Sequence, residues 1–588
     1  MKVLLTAINA KYIHSNLAVY SLKANCGSYE PQVKLMEYSI NQYPEEIFQS
    51  LYREKANIIC FSCYIWNIGI VEQVAGWLKQ VMPGIKIWLG GPEVSFDVDE
   101  RLKNWNFIDG IMYGEGEDTF REMMACWNGE KNVEEVLGIG HRHMDGKVHV
   151  HFPRDFVNMS QLNFVYTQPE DFKNKIIYYE TSRGCPFQCS YCLSSVEKKV
   201  RFRDLDLVKK ELQQFIDWEI LQVKFVDRTF NCRREHSMEI LKYIKAHDKG
   251  KTNFHFEITA DLLTEEEIDF MAGLRPGLIQ LEIGVQSTNP ATIKEIRRNV
   301  SFEKLKGIVM RIHEGKNIHQ HLDLIAGLPF EDLERFKESF NDVYALKPEQ
   351  FQLGFLKVLK GSYMREKAED YGLVYQPEPP YEVMATHWLS YDDILILKAV
   401  EEMVEVYYNS RQFENSLDWL EQYFPSAFAM YETLARYYEA RGLNGISHSR
   451  MARYEILLDF VKENLNIEET GIFTQILTYD LYLRENVKSR PSWAGSQDLY
   501  KTMYVEFFKN EENRARYFSG YEGYTTKQIQ RMTHIEHFTK DIRAAVAGEK
   551  ETDGDVFVWF DYLNRDPLTY KSRTVEVKID EADKETKS

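Results

Sequence analysis

Residues 176–195 read IIYYETSRGCPFQCSYCLSS, and this stretch decides the fold. Its first five residues have the apolar and aromatic character of a short buried strand. Cys185, Cys189 and Cys192 follow in one loop, spaced four and three residues apart. Cysteine thiolates are the usual ligands of iron–sulfur clusters. Three of them after a strand predict a 4Fe-4S cluster that is held at three corners and leaves one iron open.

An open iron needs a ligand from outside the protein, and S-adenosylmethionine can chelate it through its amino and carboxylate groups. The alternative is a zinc site, which takes four protein ligands, usually in paired cysteine or cysteine/histidine spacings. No fourth cysteine or histidine lies near the loop in the sequence, because Cys232 stands alone in the next connection. The spacing and its context favour iron–sulfur chemistry.

Strand and helix patterns alternate from Ile176 onward. The strand candidates are 176–180, 223–226, 253–258, 278–284, 319–326 and 350–356. Helical stretches separate them, so the series predicts a partial (β/α)6 barrel over residues 173–372. Active-site groups of such barrels lie at the carboxyl ends of the strands.

The Cys-x3-Cys-x2-Cys spacing, with Tyr191 before the last cysteine, resembles the signature of the radical S-adenosylmethionine superfamily. The resemblance covers residues 176–360. It implies that the cluster passes one electron to bound S-adenosylmethionine, which breaks into methionine and a 5′-deoxyadenosyl radical. That radical then abstracts hydrogen from a substrate held above the barrel.

The same resemblance implies which residues contact S-adenosylmethionine. The family positions are Tyr191, Asp227, Glu257, Thr259, Glu282, Gln286 and Gly327. For each of them the simpler interpretation is an ordinary packing role or a bond to a neighbouring loop or water.

Residues 1–134 show a second alternation, with strand candidates 3–7, 33–38, 58–63, 86–89 and 110–113. This pattern predicts a doubly wound α/β domain of Rossmann or flavodoxin-like type. The segments IICFSCYIW, KIWLGGPEVSF and GIMYGEGEDTF resemble the cobalamin-binding domain that precedes many radical S-adenosylmethionine barrels. Because open sheets bind ligands at the carboxyl ends of their strands, the residues expected to contact cobalamin are Ser62, Gly90, Gly91, Gly114, Glu115 and Gly116.

His14 departs from the best-known cobalamin pattern. That pattern is Asp-x-His-x-x-Gly after the first strand, and its histidine is the lower cobalt ligand. Here INAKYIHSNLAVY has His14 without the aspartate or the glycine. His14 is therefore a candidate cobalt ligand, a corrin contact or a helix cap. For the whole domain the alternative is a flavodoxin-like module that binds nothing, since doubly wound folds host many functions.

The other segments carry less chemistry. Residues 135–172 predict a hairpin and a linker, and residues 373–580 predict a mainly α-helical domain with a short β-like end. Residues 581–588 are expected to be disordered. The whole arrangement resembles a branch of cobalamin-binding radical proteins whose C-terminal domain has no assigned role.

The net charge of −18 over 588 residues argues against a general nucleic-acid binder, because such proteins need a basic surface to neutralise phosphates. No apolar run is long enough for a membrane span, and the first residues lack the features of a signal peptide. We therefore expect a cytoplasmic protein whose eight cysteines are thiols or metal ligands.

The leading functional hypothesis is an oxygen-sensitive enzyme that methylates an unactivated carbon of a small-molecule or peptide substrate, with cobalamin as methyl carrier. A low-potential flavodoxin or ferredoxin would supply electrons. Three alternatives stay open: a cobalamin-assisted rearrangement or ring contraction, a reaction in which cobalamin only relays electrons, and a non-catalytic sensor of cobalamin or of the cluster. A methylthiotransferase acting on transfer RNA fits less well, because Cys26, Cys60 and Cys63 lack the pattern of a second cluster site.

Overall fold

The computed structural model describes residues 1–143, 145–465, 467–546 and 553–579, so the tail that was expected to be disordered lies outside the described residues. The chain divides into two units. The first contains Met1–Ser339 and Leu353–Ile394, and the second contains Phe340–Gln352 and Leu395–Ser588. No helix in the described part combines the length and apolarity needed to cross a bilayer.

The first unit begins with a strand–helix series. Its elements are β1 (Val3–Asn9), α1 (Leu17–Ala24), β2 (Val33–Ser39), α2 (Pro44–Arg53), β3 (Ile58–Ser62), α3 (Ile68–Val81), β4 (Lys86–Gly90), α4 (Val98–Asn104), β5 (Gly110–Met112), α5 (Glu117–Trp127), β6 (Ile139–Arg142) and β7 (Val148–Val150).

These strands form one sheet in the order β2-β1-β3-β4-β5-β6-β7, with β1 to β5 parallel. The first five strands have the flavodoxin-like order of a doubly wound domain, which confirms the predicted fold class. Both faces are covered, because Leu4 and Ile8 of β1 pack into the core on one side while Val3 and Leu5 pack on the other. A strand buried on both faces accounts for the nearly continuous apolar run VLLTAI.

The hairpin of β6 and β7 belongs to this sheet. Strand β6 pairs antiparallel with β5, so that Gly110 lies opposite His141, and β7 pairs antiparallel with β6. The sequence predicts a hairpin within residues 135–172, and β6 and β7 form one there; its pairing with β5 is a long-range contact that no sequence pattern reveals.

The barrel follows, and its elements lie in the first unit except for the end of α11 and the start of β15, which fall within Phe340–Gln352 of the second. Its elements are β8 (Ile177–Tyr179), β9 (Ser182–Arg183), β10 (Arg201–Phe202), α6 (Leu205–Asp217), β11 (Gln222–Phe225), α7 (Arg234–His247), β12 (Asn253–Ile258), α8 (Glu265–Ala272), β13 (Ile279–Gln286), α9 (Pro290–Glu295), α10 (Phe302–Glu314), β14 (His319–Ala326), α11 (Leu333–Tyr344), β15 (Gln350–Phe355), α12 (Tyr363–Glu366), β16 (Val374–Tyr375) and β17 (Val383–Ala385).

The six-stranded sheet has the order β15-β14-β13-β12-β11-β8, and the pairs from β8 to β14 are parallel. These are the six strands that the sequence predicts, and their order along the sheet follows the chain. Such an arrangement is the partial barrel of the expected fold class. It brings the carboxyl ends of neighbouring strands to one rim, where side chains from several strands can meet.

The remaining elements are mainly helical. They are α13 (Tyr391–Met403), α14 (Glu414–Glu421), α15 (Ala427–Ala440), α16 (Arg450–Asn464), α17 (Ile467–Arg484), α18 (Lys501–Lys509), α19 (Glu511–Tyr517), α20 (Thr526–Met532), β18 (Thr533–Lys540), α21 (Ile542–Val546), β19 (Asp553–Arg565) and β20 (Ser572–Val577). The three strands form an antiparallel sheet whose buried Trp559 packs near Phe518 and Tyr521.

A buried ion pair ties the linker to the first helix of the barrel. The guanidinium of Arg203 donates to both carboxylate oxygens of Glu211, with Nε at 3.0 Å from Oε2 and Nη2 at 2.5 Å from Oε1. It also donates to the backbone carbonyls of Met159 and Leu162 in the linker. Glu211 further accepts from the Tyr179 hydroxyl at 2.6 Å. Every charged group here is paired, as burial requires.

Replacement of Glu211 by alanine should therefore destabilise the first unit by about 3–5 kcal/mol, because the Arg203 charge would stay buried without a partner. The measurement is the urea unfolding midpoint followed by fluorescence. Lys210→Ala is the matched control, since Lys210 is the exposed neighbour on the same helix. Equal midpoints for the two variants would contradict the expectation.

Candidate active site

The three cysteines lie in a loop that is closed at its base by two short strands. Strand β9 pairs antiparallel with β10, so that Arg183 lies opposite Arg201. Inside this base the Cys185 amide donates to the Glu197 carbonyl at 3.1 Å. Gly184 has a φ of +92°, and a Cβ there would lie 2.5 Å from the Lys199 carbonyl oxygen, so only glycine fits.

The thiols suit the expected cluster. Cys185, Cys189 and Cys192 are all free, Cys185 is buried and the other two are partly exposed. Three free thiols on one loop match the donor set of a cluster with one open iron. Burial raises the pKa of the Cys189 thiol, and the positive charge of Arg298 opposes that rise. The loop therefore has a positive neighbour that favours thiolate ligands.

Sequence reasoning missed Arg298. Its side chain donates to the Tyr191 hydroxyl at 3.2 Å and to the Gly284 carbonyl at 2.8 Å. It thereby connects the residue before the last cysteine with the end of β13. Arg298 follows α9 in the sequence IRRNV, and a basic pair after a helix is more often solvated, so no pattern singled it out.

Asp227 supports the start of the cysteine segment. Its carboxylate accepts from the Thr181 amide at 2.9 Å, from the Thr181 hydroxyl at 2.7 Å and from the Ser182 hydroxyl. Burial raises the pKa of Asp227 to about 6. All of these partners belong to the segment between β8 and the loop, so Asp227 acts on the cysteines by positioning the backbone. Its contact with S-adenosylmethionine remains a prediction.

The barrel interior contains a layer of charged groups. The carboxylate of Glu282 accepts from Lys224 and from His255, each at 3.0 Å. Glu257 lies opposite Glu282 in the pairing of β12 with β13, and Asp323 lies opposite Gly284 in the pairing of β13 with β14. Among these residues the sequence analysis identified only Glu257 and Glu282 as site candidates. The available signal was the alternation of charged with apolar residues in NFHFEI and HLDLIA.

These carboxyl groups differ in acidity. Burial raises the pKa of Glu257 to about 7, and the nearby charge of Glu282 adds to the rise. Burial and Glu282 likewise raise the pKa of Asp323 to about 7. Burial acts on Glu282 as well, but the bond from His255 and the charge of Lys224 outweigh it and lower its pKa. Near neutral pH Glu282 is thus ionised, while Glu257 and Asp323 can each bind a proton.

The other predicted barrel residues have local partners. The Gln286 amide, at a φ of +70°, donates to Asp323 at 3.3 Å. The Thr259 backbone exchanges two hydrogen bonds with the Asn231 side chain, at 3.0 and 2.9 Å. A Cβ on Gly327 would lie 2.6 Å from a Val383 methyl carbon, so that glycine is needed for packing. The structure thus gives each a role in shaping the rim, and their contacts with S-adenosylmethionine remain predictions.

Small residues lie at the carboxyl ends of three neighbouring strands in the N-terminal sheet. Ser62 ends β3, Gly90 ends β4 opposite it, and Gly114 follows β5. A Cβ on Gly91 would lie 2.5 Å from the Cys63 carbonyl oxygen, whereas a Cβ on Gly114 would meet open space. This edge is the ligand side of a doubly wound sheet, and its open, side-chain-poor surface fits a large planar cofactor such as cobalamin.

Glu115 and Gly116 have other contacts than those expected. The Glu115 carboxylate accepts from Arg201 at 2.7 Å, from Arg183 at 3.2 Å and from the Val157 amide at 2.7 Å. A Cβ on Gly116 would lie 2.9 Å from a Leu22 methyl carbon, so this glycine lets α5 approach α1. These bonds from the barrel and the linker explain why a buried carboxylate stands at this position. Contact of Glu115 with cobalamin remains a prediction.

His14 has an orienting partner that the sequence does not reveal. Its Nδ1 lies 2.6 Å from the Tyr178 hydroxyl, and the Ile176 amide donates to the Ile13 carbonyl at 2.8 Å. The loop after β1 is thereby fixed to the start of β8. Metal-binding histidines are usually oriented by a bond of this kind at the ring nitrogen that does not bind the metal. Ligation of cobalt by His14 remains a prediction.

Two aromatic rings at the same sheet edge were missed. Tyr64 and Trp66 follow β3 and are stacked, with centroids 4.3 Å apart and an 8° angle between planes. The Trp66 indole donates to the Ile8 carbonyl at 3.2 Å, yet the residue is 43% exposed. A stacked and partly exposed indole is an apolar surface on which a flat ring system can pack. The sequence feature that could have revealed them is the pair of large aromatic residues directly after the end of β3.

A doubly wound domain with an open, glycine-lined strand edge, joined to a partial barrel with a three-cysteine loop, defines a cobalamin-binding radical S-adenosylmethionine protein. Family models agree. The B12 binding domain matches residues 3–124, and the Radical SAM superfamily matches residues 179–343. The chain therefore contains a B12-binding domain followed by a domain of the radical S-adenosylmethionine superfamily. A third model, described as a protein of unknown function (DUF4080), matches residues 369–560.

Curated relatives are similar at low identity. The 2-(S-pantetheinyl)-carbapenam-3-carboxylate methyltransferase of Streptantibioticus cattleyicolor is 24% identical over 432 residues, which cover 66% of this chain and 62% of that protein. The cobalamin-dependent radical SAM methyltransferase TokK of Streptomyces tokunonensis is 23% identical over 55% of this chain and 50% of that protein. The chain thus matches between half and 62% of the length of these relatives.

A solved structure has the same fold. OxsB, a cobalamin-dependent S-adenosylmethionine radical enzyme with aqua-cobalamin and S-adenosylmethionine bound, aligns with a TM-score of 0.56 at 15% identity. The alignment covers 87% of this chain and 82% of that one.

The raised pKa of Glu257 leads to a pH-dependent prediction. Its folded pKa of about 7 lies above the ordinary value of 4.5, so ionisation costs stability as pH rises through this interval. Glu257→Gln avoids that cost. We expect the variant to exceed the wild type in thermal midpoint by a small amount at pH 5 and by a larger amount at pH 8, with both proteins in the same cofactor state. A difference that shrinks with rising pH would contradict the assignment.

Proposed function

We propose that this protein is a cobalamin-dependent radical S-adenosylmethionine methyltransferase that acts on an unactivated carbon of a small-molecule or peptide substrate. The observation that carries the proposal is the direct contact between the cysteine loop of the barrel and the glycine-lined edge of the N-terminal sheet. The strands that close the cysteine loop carry Arg183 and Arg201, and both arginines bind Glu115 beside the glycine-lined edge. The methyltransferases among the similar proteins support the same reaction class.

The chain's own groups would have distinct tasks. Cys185, Cys189 and Cys192 would hold the cluster, which with S-adenosylmethionine and cobalamin bound supplies radical formation and methyl transfer. The residues proposed to bind S-adenosylmethionine are Tyr191, Asp227, Glu257, Thr259, Glu282, Gln286 and Gly327. Those proposed to line the cobalamin site are His14, Ser62, Gly90, Gly91, Gly114, Glu115 and Gly116.

Within the barrel, the contrast between Glu257 and Glu282 is suited to holding a polar ligand. Glu282 is fixed by Lys224 and His255, so it is a permanent negative charge. Glu257 lies opposite it and has a pKa of about 7, so it can accept or donate a hydrogen bond near neutral pH. We assign Glu257 to orienting S-adenosylmethionine. Arg298, which bonds Tyr191, would keep the cysteine loop at a fixed position relative to β13.

The proposal includes the redox conditions and the electron donor that the enzyme would need. Free thiols and a cluster with an open iron require a reducing, oxygen-poor setting, which the cytoplasm of an anaerobic cell provides. A low-potential flavodoxin or ferredoxin would be the electron donor. A rearrangement or ring contraction would use the same residues up to radical formation, and a sensor would use only the cofactor contacts.

The first test is product formation after reconstitution without oxygen. With S-adenosylmethionine and a low-potential reductant, the wild type should form 5′-deoxyadenosine, and Cys185→Ala should lose both the cluster absorbance and the product. Cys232→Ala is the matched control, because its thiol interacts with that of Cys185 but lies outside the loop motif. Formation of S-adenosylhomocysteine and methylcobalamin supports methyl transfer. 5′-Deoxyadenosine without them would favour rearrangement, and a loaded protein that yields no product with candidate substrates would favour the sensor.

The second test concerns the cobalamin edge. Trp66→Ala removes an aromatic surface whose stacking is worth about 0.5–1.5 kcal/mol, so the dissociation constant for hydroxocobalamin should rise about threefold to tenfold. Trp66→Phe should retain most of the affinity. Tyr52→Ala, at an exposed residue in the last turn of α2 and so at the opposite edge of the sheet, should retain all of it. Iron content should be equal in all variants. Unchanged cobalamin affinity in Trp66→Ala would remove Trp66 from the site.

A further inference from the structure

The hairpin at the edge of the N-terminal sheet contains histidines in the sequence HRHMDGKVHVH, residues 141–151. Two of them turn toward each other, since His141 Nε2 and His151 Nε2 are 3.2 Å apart. Glu134, from the segment after α5, places one carboxylate oxygen 3.5 Å from the His141 nitrogen and the other 3.6 Å from the His151 nitrogen. Three potential metal ligands from separate segments therefore converge on one point.

The separations match those of metal ligands. A tetrahedral zinc ion with bonds of about 2.0–2.2 Å to nitrogen and oxygen keeps its ligand atoms about 3.3–3.6 Å apart. The three distances here are 3.2, 3.5 and 3.6 Å. Each Glu134 oxygen thus lies at a ligand-like distance from one histidine nitrogen, and one ligand atom from each of the three residues lies within 4.8 Å of the others. Imidazole and carboxylate together are ligands that zinc accepts readily.

A backbone contact sets the tautomer of one histidine. His151 Nδ1 lies 2.7 Å from the Val136 carbonyl oxygen. A carbonyl can only accept, so Nδ1 carries the hydrogen and the lone pair lies on Nε2, which faces His141 and Glu134. Metal-binding histidines usually donate their second nitrogen to a backbone carbonyl or a carboxylate in this way. The ring is therefore prepared to bind a cation through Nε2.

Burial also distinguishes the pair from surface histidines. The side chains of His141 and His151 are 6% and 11% exposed, whereas Glu134 is 44% exposed. A cation can therefore enter from the side of Glu134. His143 on the same hairpin is 43% exposed and instead stacks on His149 at 5.2 Å.

We propose that Glu134, His141 and His151 form a binding site for a divalent transition-metal ion, with zinc as the best match. Water would complete the fourth position. The site uses none of the residues assigned to the cluster, to S-adenosylmethionine or to cobalamin, so it is a separate metal centre.

The location indicates what a metal would do there. Glu134 follows α5, His141 lies in β6 and His151 follows β7, so one ion would connect three segments at the sheet edge. Six residues after His151, Val157 donates to Glu115 and accepts from Arg201. A metal would thus fix the start of the segment that runs from the sheet to the strands closing the cysteine loop, and we assign it a stabilising role.

The experiment measures zinc on the holoenzyme. The full-length protein is loaded with its cluster, so that the three cysteines are occupied, then dialysed against zinc sulfate and desalted, and zinc is counted by mass spectrometry. The wild type should retain one zinc ion and show a higher thermal midpoint with zinc than after chelation. Glu134→Gln and His141→Ala should weaken zinc binding at least about tenfold. His143→Ala is the matched control and should bind as the wild type does.

Glu134→Gln keeps the test valid if His141→Ala fails to fold, because Glu134 is exposed and its loss leaves both rings in place. A second control, the combined Cys185→Ala, Cys189→Ala and Cys192→Ala variant, should still retain the zinc ion, which separates this site from the cysteine loop. Zinc binding that is equal in wild type and Glu134→Gln would overturn the proposal. So would a wild type that holds no zinc, which would leave the trio as a hydrogen-bonded cluster.

Discussion

The contact on which the site depends is the ion-pair cluster between Arg183 and Arg201 and the acidic start of α5. Arg183 bonds Glu115 and Glu117, and Arg201 bonds Glu115. These groups are largely buried, and buried charges are tolerated only when each has a partner and its remaining hydrogen bonds are made. The cluster therefore requires one relative placement of sheet edge and cysteine loop. Lys360, which bonds Asp97 at 2.7 Å, adds a second ion pair between barrel and domain.

This constraint explains why two arginines flank the cysteines. Arg183 lies on β9 and Arg201 on β10, which pair across the base of the loop. A shift of the N-terminal sheet would therefore displace β9 and β10 together. The thiols and the glycine-lined edge are thus coupled through the backbone of one short hairpin. The proposed methyl transfer would need a fixed separation of this kind.

The barrel interior follows a related principle. Bonds from Lys224 and His255 outweigh the burial of Glu282 and lower its pKa, whereas the positive charges near Glu257 and Asp323 do not outweigh burial, which raises the pKa of these two. Carboxyl groups on neighbouring strands thereby acquire different protonation states at one pH. Placement on adjacent strands, rather than the residue type, produces the difference.

Much of the fold could be read from the chain. The six barrel strands and the five parallel strands of the first sheet were predicted because alternating apolar runs and helical spacing report directly on burial. The cysteine loop was recognisable because all three cysteines lie within eight residues. The hairpin of β6 and β7 was predicted, but its addition to the first sheet was not, because pairing of β6 with β5 is a long-range contact that leaves no local signal.

The sequence by itself determined the class of protein, since the three cysteines lie in one short loop and each small residue directly follows or ends a recognisable strand. Only the tertiary structure decided which polar residues work together. Arg298 with Tyr191, Glu115 with Arg201, His14 with Tyr178, and Glu134 with two histidines are each separated by sequence intervals that carry no pattern. Such pairs form because burial forces every charged or polar group to find a partner in space, and that partner is set by the packing of strands and helices rather than by neighbours in the chain.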